Sequence, residues 1–414
     1  MSRIEAARQM IAATLARIGL TRLADRMGLV VYVGATLLAH GAGWAALIGA
    51  AALVPAAIGA LASGFVVAAV GGPRLALASG LAKVAGATLL AWLVATGHPD
   101  PWLIAGTLGL VALLDMPARV AFEASRPPVA RLARIPLLRL NGWQDALNHG
   151  VAIAGPVAGG LALLALGPGP AAILVAGITC LSVLAMVAML PALRRPAVTS
   201  VLTGTAFAAA ARRLWSDRPV RVVLVLVGLG LGAFIGTEVL LLPALLGRDQ
   251  GHDRLFLLAL GAGAVIGSAA MVLWRPAFDR RPVGLLLAVA ATNAACGLLA
   301  IVLAPNAPLA IAAGGALAGL AAAPIMPLVM TVLQSRIPRT QRPHAIGIAL
   351  AVVLGGAPLA VLLIGLASWH VAARDLTLAV AAVFVLLAAL AVAARSLAVS
   401  LAALRSRPSI LQTW

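Results

Sequence analysis

The chain has 414 residues, of which 63% are hydrophobic and only 10% are charged, and its mean hydropathy is +1.08. This composition excludes a soluble globular domain and predicts an integral membrane protein. The net charge of +18 could indicate nucleic acid as a partner, but the positions of the basic residues argue against that interpretation.

Runs of about 20 apolar residues recur along the whole chain, and each is long enough to cross a bilayer as a helix. We predict about twelve such spans, at residues 11–39, 44–70, 75–97, 101–122, 142–166, 170–193, 220–246, 254–274, 283–304, 308–333, 345–369 and 375–396. Residues 28–72 could instead hold two short spans, which would leave 1–26 as a surface helix. We adopt the longer first span, which puts Arg22, Asp25 and Arg26 within the membrane.

Most of the 30 Lys and Arg residues fall in the two termini and in every second loop. Arg248, Arg254 and Arg374 fall in the opposite set of loops. This asymmetry follows the positive-inside rule, so it predicts that both termini are cytoplasmic and that the protein lies in the plasma (inner) membrane. The partner of the basic charge is then the anionic lipid headgroup, and nucleic acid is excluded.

The two halves of the chain carry a matching pattern. Arg134-Ile135-Pro136 precedes Pro156 by the same interval as Arg336-Ile337-Pro338 precedes Pro358. An internal repeat of this kind predicts an all-α protein of two pseudo-symmetric six-helix bundles, with the substrate path between them. The predicted parts are a first bundle at 1–193, a cytoplasmic linker at 194–219, a second bundle at 220–396 and a cytoplasmic tail at 397–414.

The fifth span opens with polar residues and continues as a glycine-rich helix, NGWQDALNHGVAIAGPVAGGL. Small residues four apart leave one helix face bare, so another helix can approach closely. A proline in that face removes a backbone donor and bends the helix. The residues that form this motif are Asn148, His149, Gly150, Gly155, Pro156, Gly159 and Gly160. Tight packing without any part in transport is the alternative interpretation.

The string G-x-x-x-G-P-x-x-G-G resembles the fifth-helix antiporter motif of proton-coupled exporters in the major facilitator superfamily. The resemblance extends over nearly the full length and is closest to the branch of macrolide-efflux and enterobactin exporters. It is carried by TRLADRMGLVV, DMPARVAFEA, LLRLNGWQDALNHGVAIAGPVAGG, PIMPLVMTVLQSRIPRTQRPHAIG and WSDRPVRVVLVLVGL. It implies the major facilitator fold, the antiporter mechanism and export as the direction of transport.

One loop departs from the pattern of that superfamily, whose second and third helices are usually joined by a loop with an Asp-Arg pair and further basic residues. Here the segment is SGFVVAAVGGPRLAL, with Arg74 alone. The related loop of the second half, RPAFDRRP, does carry Asp279, Arg280 and Arg281. The resemblance therefore implies a cytoplasmic clasp formed by these four residues that is weaker in the first half.

An ionisable residue inside a bilayer costs about 2.5–3.5 kcal/mol on insertion scales, so it is by default a candidate for function. The candidates for proton or substrate coupling are Arg22, Asp25, Arg26, Asp115, Arg119 and Glu238. Asp25 is one turn from Arg22, and a carboxylate that exchanges between such partners can bind and release a proton. Asp115 and Arg119 share a helix face. Glu238 stands alone in a very apolar span, which suits proton binding.

Each candidate also has a purely structural interpretation. Asp25 could form a static pair that holds the first helix, Asp115 and Arg119 could pair with each other, and Glu238 could pair across the bundle. Asp145 and His149 could start the fifth helix at the interface. We expect Lys83 to extend to the membrane interface.

No catalytic motif, phosphate-binding loop or cluster of Cys and His ligands occurs in the sequence, so we predict neither an enzyme nor a cofactor. An ion gradient is then the expected energy source. The predicted function is a monomeric secondary transporter that exports hydrophobic or amphipathic small molecules in exchange for protons. A lysolipid or lipid flippase of the same fold and a non-transporting membrane receptor are the alternatives.

Overall fold

The computed structural model describes residues 3–40, 53–97, 100–193, 204–246, 252–274 and 281–394. The first six helices are α1 (Arg3–His40), α2 (Leu53–Val70), α3 (Gly72–Ala95), α4 (Pro101–Leu132), α5 (Leu137–Leu166) and α6 (Pro168–Leu193). α1 runs without a break through residues 26–28, as the longer first span requires.

The remaining helices belong to the second half of the sequence. They are α7 (Gly204–Ser216), α8 (Arg218–Gly236), α9 (Leu242–Leu246), α10 (His252–Leu273), α11 (Val283–Leu303), α12 (Pro308–Ala322), α13 (Ile325–Arg336), α14 (Arg342–Ala367) and α15 (Ala373–Ala393). A π-helical turn, Thr237–Leu241, joins α8 to α9.

Ten helical segments within the described residues are long and apolar enough to cross a membrane. A shorter apolar helix, Val54–Val70, and the charged helix α1 add to them, so the prediction of about twelve membrane helices is confirmed. Helices are the expected solution in lipid, because a helix satisfies its backbone polar groups within one segment.

Contacts divide the chain into two compact units, each of which draws on both halves of the sequence. Unit 1 contains Met1–Ile135, Val151–Ala210 and Arg339–Ala351. Unit 2 contains Pro136–Gly150, Ala211–Pro338 and Val352–Trp414. The long helices α5 and α14 therefore each contribute one part to unit 1 and another part to unit 2.

The apolar core of unit 1 lies between α1, α3, α4 and α6. Buried side chains from all four helices meet there, among them Met27, Val31, Leu90, Ile104 and Val175. In unit 2 a corresponding core joins α8, α11, α12 and α15 around Phe384 and Leu298.

Tight connections between neighbouring helices depend on glycine. Gly71 is the single residue between α2 and α3, and its φ is 83°. Gly167, between α5 and α6, has a φ of 80°. Residues with a Cβ rarely adopt this left-handed conformation, so glycine permits both short connections.

The glycines of the α5 motif differ in what they contact. A Cβ on Gly155 would overlap Arg26 of α1, and a Cβ on Gly159 would lie 2.9 Å from the backbone oxygen of Met27. Gly150 and Gly160 have no such neighbour within 4 Å. Two glycines four residues apart thus bring α5 against the backbone of α1.

Gly159 and Gly160 form a matched pair for testing this contact. Gly159→Ala should lower the free energy of unfolding by about 1–3 kcal/mol, because the new methyl group meets an α1 backbone that cannot turn aside. Gly160→Ala should leave it unchanged or raise it by up to about 1 kcal/mol through helix propensity. Thermal unfolding of the purified variants in detergent measures both, and equal effects would contradict the predicted contact.

Candidate functional site

Three ionisable side chains from three helices of unit 1 meet in one cluster. Lys83 Nζ of α3 lies 3.0 Å from Asp25 Oδ2 of α1 and 3.3 Å from Asp115 Oδ1 of α4. Ser79, one turn before Lys83, donates a hydrogen bond to Asp115 Oδ1 over 3.0 Å. We call Asp25, Lys83 and Asp115 the acidic-lysine cluster.

The acidic-lysine cluster lies at the middle of the membrane helices that supply it. Lys83 is about 17 Å from either end of α3 at 1.5 Å per residue, which is farther than its side chain can extend, and it is only 7% exposed. The expectation that Lys83 extends to the membrane interface is therefore wrong. Two carboxylates inside the unit compensate its charge instead.

The two carboxylates of the cluster differ in their surroundings. The Asp115 side chain is 22% exposed and accepts from Ser79 as well as contacting Lys83. The Asp25 side chain is 35% exposed, and its other cationic neighbour is Arg22 NH1 at 3.6 Å. Asp115 is thus the more enclosed partner of Lys83, and Asp25 the more accessible one.

The predicted alternative of a local pair between Asp115 and Arg119 is wrong, because no ion pair within 4.0 Å joins them in the described residues. Further along α4, Glu123 and Arg126 form a buried pair, and the guanidinium of Arg126 also lies 5.4 Å from the ring centroid of Phe122. Sequence reasoning singled out neither residue, although an i, i+3 pair of opposite charges is visible in the sequence.

Glu238 lies in the π-helical turn of unit 2 and is half-buried. The amide of Leu242 donates to the carbonyl of Thr237, the i to i+5 bond that defines such a turn. Insertions of this kind in α-helices are rare and are frequent at functional sites. The local geometry therefore supports Glu238 as a candidate functional residue. Glu238 is not part of the acidic-lysine cluster.

The first turns of α5 make polar contacts inside unit 2. The amide of buried Asn141 donates to Thr331 Oγ1 over 2.9 Å and to Gln334 Oε1 over 3.2 Å. Asp145 is also buried and accepts from Ser268 over 3.2 Å. His149 Nε2 lies 3.0 Å from Asp145 Oδ2, an ion-pair distance without the alignment of a hydrogen bond. Asn148 Oδ1 is buried and has no hydrogen-bond partner among the described residues.

A cavity of about 140 Å³ opens beside Asp145 and His149 in unit 2. These two are its only ionisable lining residues within the described part of the chain. The rest of the lining is aliphatic or aromatic, apart from Gly230 and Met326. It comes from α8, α11, α12, α13 and α15, with Leu226, Phe234, Ala294, Ile325 and Phe384 as examples. A cavity with this lining offers contact to apolar groups and little hydrogen bonding.

The remaining sequence-predicted site residues belong neither to the acidic-lysine cluster nor to the lining of the unit 2 cavity. Arg26 is exposed and touches Gly155, and Arg74 and Arg281 are exposed. Pro156 lies inside α5, which stays helical through it. Asp279 and Arg280 of the predicted clasp lie outside the described residues.

Removing the charge of Lys83 should destabilise unit 1. Lys83→Met leaves two carboxylates without their shared cation, and the free energy of unfolding should fall by about 3 kcal/mol or more. The double variant Lys83→Met/Asp115→Asn removes one of the stranded charges and should recover part of that loss. Thermal unfolding in detergent measures the cycle. A Lys83→Met variant as stable as the parent would contradict the pairing.

No protein-family model matches the chain. The multidrug efflux pump Tap of Mycobacterium tuberculosis is 26% identical over 352 residues, which cover 82% of this chain and 83% of that protein. Tap of Mycolicibacterium fortuitum is 26% identical over 330 residues, 78% of this chain and 80% of that protein.

Solved structures of major facilitator superfamily transporters superpose on nearly the whole chain. The human organic anion transporter MFSD10 gives a TM-score of 0.73 at 16% identity, over 93% of this chain and 99% of the other. The transporter FucP gives 0.71 at 14% identity, over the same shares. These proteins are transporters, as are the Tap pumps, so the prediction that the chain is not an enzyme is confirmed. The chain is a multi-pass membrane protein with the major facilitator fold, as its sequence predicts.

Proposed function

We propose that this protein is a secondary transporter that exports hydrophobic or amphipathic small molecules in exchange for protons by alternating access. It works as a monomer in the plasma (inner) membrane, with both termini in the cytoplasm. The names of its relatives, multidrug efflux pumps, support export and a broad range of substrates. The acidic-lysine cluster carries the proposal of proton coupling.

A buried lysine between two carboxylates is a suitable proton-exchange site. With all three groups ionised, the cluster has one negative charge more than Lys83 can compensate. A proton that binds one carboxylate removes that excess, and Lys83 then pairs with the other carboxylate alone. Because opposite charges attract strongly where water is scarce, each protonation state favours a different set of contacts between α1, α3 and α4.

The geometry suggests different roles for the two carboxylates. Asp115 keeps Lys83 and Ser79 as partners and acts as the fixed side of the site. Asp25 is the more exposed group and acts as the proton acceptor that exchanges with water. Arg22 NH1, 3.6 Å from Asp25 Oδ2, is the second cation that the carboxylate can pair with during the cycle.

The α5 helix couples the cluster to the remainder of the cycle in this proposal. Arg26 and Met27, which contact Gly155 and Gly159, directly follow Asp25 in α1. A shift of α1 on protonation of Asp25 therefore first changes the contacts between α1 and the two α5 glycines. The apolar cavity of unit 2 supports hydrophobic rather than sugar-like substrates.

Neutral replacements of the acids test the coupling. In proteoliposomes with an imposed pH gradient, Asp25→Asn and Glu238→Gln should each reduce proton-driven transport of fluorescent amphipathic dyes to the level of empty vesicles, since neither amide can bind the transported proton. Asp375→Asn is the matched control, because Asp375 is exposed at the start of α15 and should leave transport unchanged.

Each outcome of this assay is decisive for a different part of the proposal. Full transport by both Asp25→Asn and Glu238→Gln removes those residues from the mechanism. Transport of labelled lysolipid in place of the dyes favours the flippase alternative. Absence of transport for every dye and lipid favours a non-transporting receptor.

The orientation in the membrane is tested separately. Fusion of a fluorescent protein to the C-terminus should give fluorescent cells, and fusion of alkaline phosphatase at the same point should give inactive enzyme, because the C-terminus is on the basic, cytoplasmic side. The reverse pattern would contradict the proposed topology.

A further inference from the structure

One cation of unit 1, Arg119, has no ion-pair or hydrogen-bond partner at close distance among the described residues. Arg119, one helical turn after Asp115 in α4, forms no ion pair within 4.0 Å and no hydrogen bond with the described residues, and its Nε is buried. Asp115 and Glu123, each four residues from Arg119 on α4, contact Lys83 and Arg126 respectively. A guanidinium left in this state inside a membrane helix is costly, so its retention needs a reason.

The acids around Arg119 have closer cations than Arg119. Asp25 and Asp115 both lie within ion-pair distance of Lys83, and Glu123 pairs with Arg126.

We infer that Arg119 binds the anionic head group of an amphipathic substrate, a carboxylate or a phosphate monoester. This inference rests on the proposed function for the route that the substrate takes, and it narrows the substrate class to amphipathic anions. The planar guanidinium offers paired N–H donors that match a carboxylate or a phosphate. An anion bound there would give Arg119 the close partner that no described side chain provides within 4.0 Å.

The location of Arg119 also fits a link between substrate and proton. Arg22 is a charged neighbour of both Arg119 and the acidic-lysine cluster. An anion at Arg119 would also attract Arg22, which contacts Asp25 at 3.6 Å. Substrate at Arg119 and a proton at Asp25 therefore affect each other through shared charges.

A binding experiment on the purified full chain tests the site without requiring transport. The probe is dansyl-undecanoate, compared with its uncharged methyl ester and with a trimethylammonium probe of the same chain length. Saturable binding above protein-free micelles is measured by dansyl fluorescence in a neutral detergent. The parent protein should bind the carboxylate at least about tenfold more tightly than the ester, as a charge-assisted bond implies.

Substitutions assign the preference to one side chain. Arg119→Gln should raise the Kd for the carboxylate by about tenfold and leave that for the ester unchanged. Arg119→Lys keeps the charge but not the planar donors, so its Kd for the carboxylate should lie between that of the parent and that of Arg119→Gln. Arg374→Gln is the matched control, because Arg374 is exposed at the start of α15 and should behave as the parent. If Arg119→Gln does not fold, the Arg119→Lys result and the probe preference of the parent protein decide the question.

The outcomes separate this inference from the proposed function. Equal binding of carboxylate and ester by the parent, or an unchanged preference in the Arg119 variants, would overturn it. Displacement of the probe by a monoacyl glycerophosphate identifies a lipid head group as the source of the anion, whereas displacement by free carboxylate amphiphiles alone identifies an organic anion. Arg119-dependent binding without proton-driven transport would refute the exporter and leave the anion site standing.

Discussion

The structure of unit 1 depends on how it compensates a lysine buried at the middle of three membrane helices. Lys83 contacts Asp25 of α1 and Asp115 of α4 at 3.0 and 3.3 Å. A single ammonium cannot balance two carboxylates, so the cluster is close to neutral only when a proton or another cation contributes. That imbalance is what makes a stabilising contact also a candidate for proton exchange.

Close packing of α5 against α1 occurs next to the charged groups of the cluster. Gly155 and Gly159 bring α5 against the α1 backbone at Arg26 and Met27, next to Asp25. Between such closely approaching helices, small side-chain changes alter backbone positions, because interiors are packed too densely to absorb them. In unit 2 the π-helical turn at Glu238 interrupts the regular α-helix beside an apolar core.

Much of the fold could be predicted from sequence, because apolar length alone identifies a membrane helix. The predicted span at 283–304 corresponds to α11 (Val283–Leu303), and the span at 75–97 to α3 (Gly72–Ala95). The partner of Asp25 could not be predicted in the same way. Lys83 is 58 residues away, and a helix that is apolar on all sides does not reveal which face points at its neighbour. The contact of Asn141 with Thr331, across 190 residues, was hidden for the same reason.

The proposed transport cycle depends on one linkage, between a proton at the acidic-lysine cluster and the substrate. The most direct measurement is the release of protons when an amphipathic substrate binds the purified protein in a weakly buffered solution. Reciprocal coupling predicts that the parent releases protons on binding and that the Asp25→Asn variant binds without releasing them. Equal proton release by both proteins, or none by either, would contradict the account.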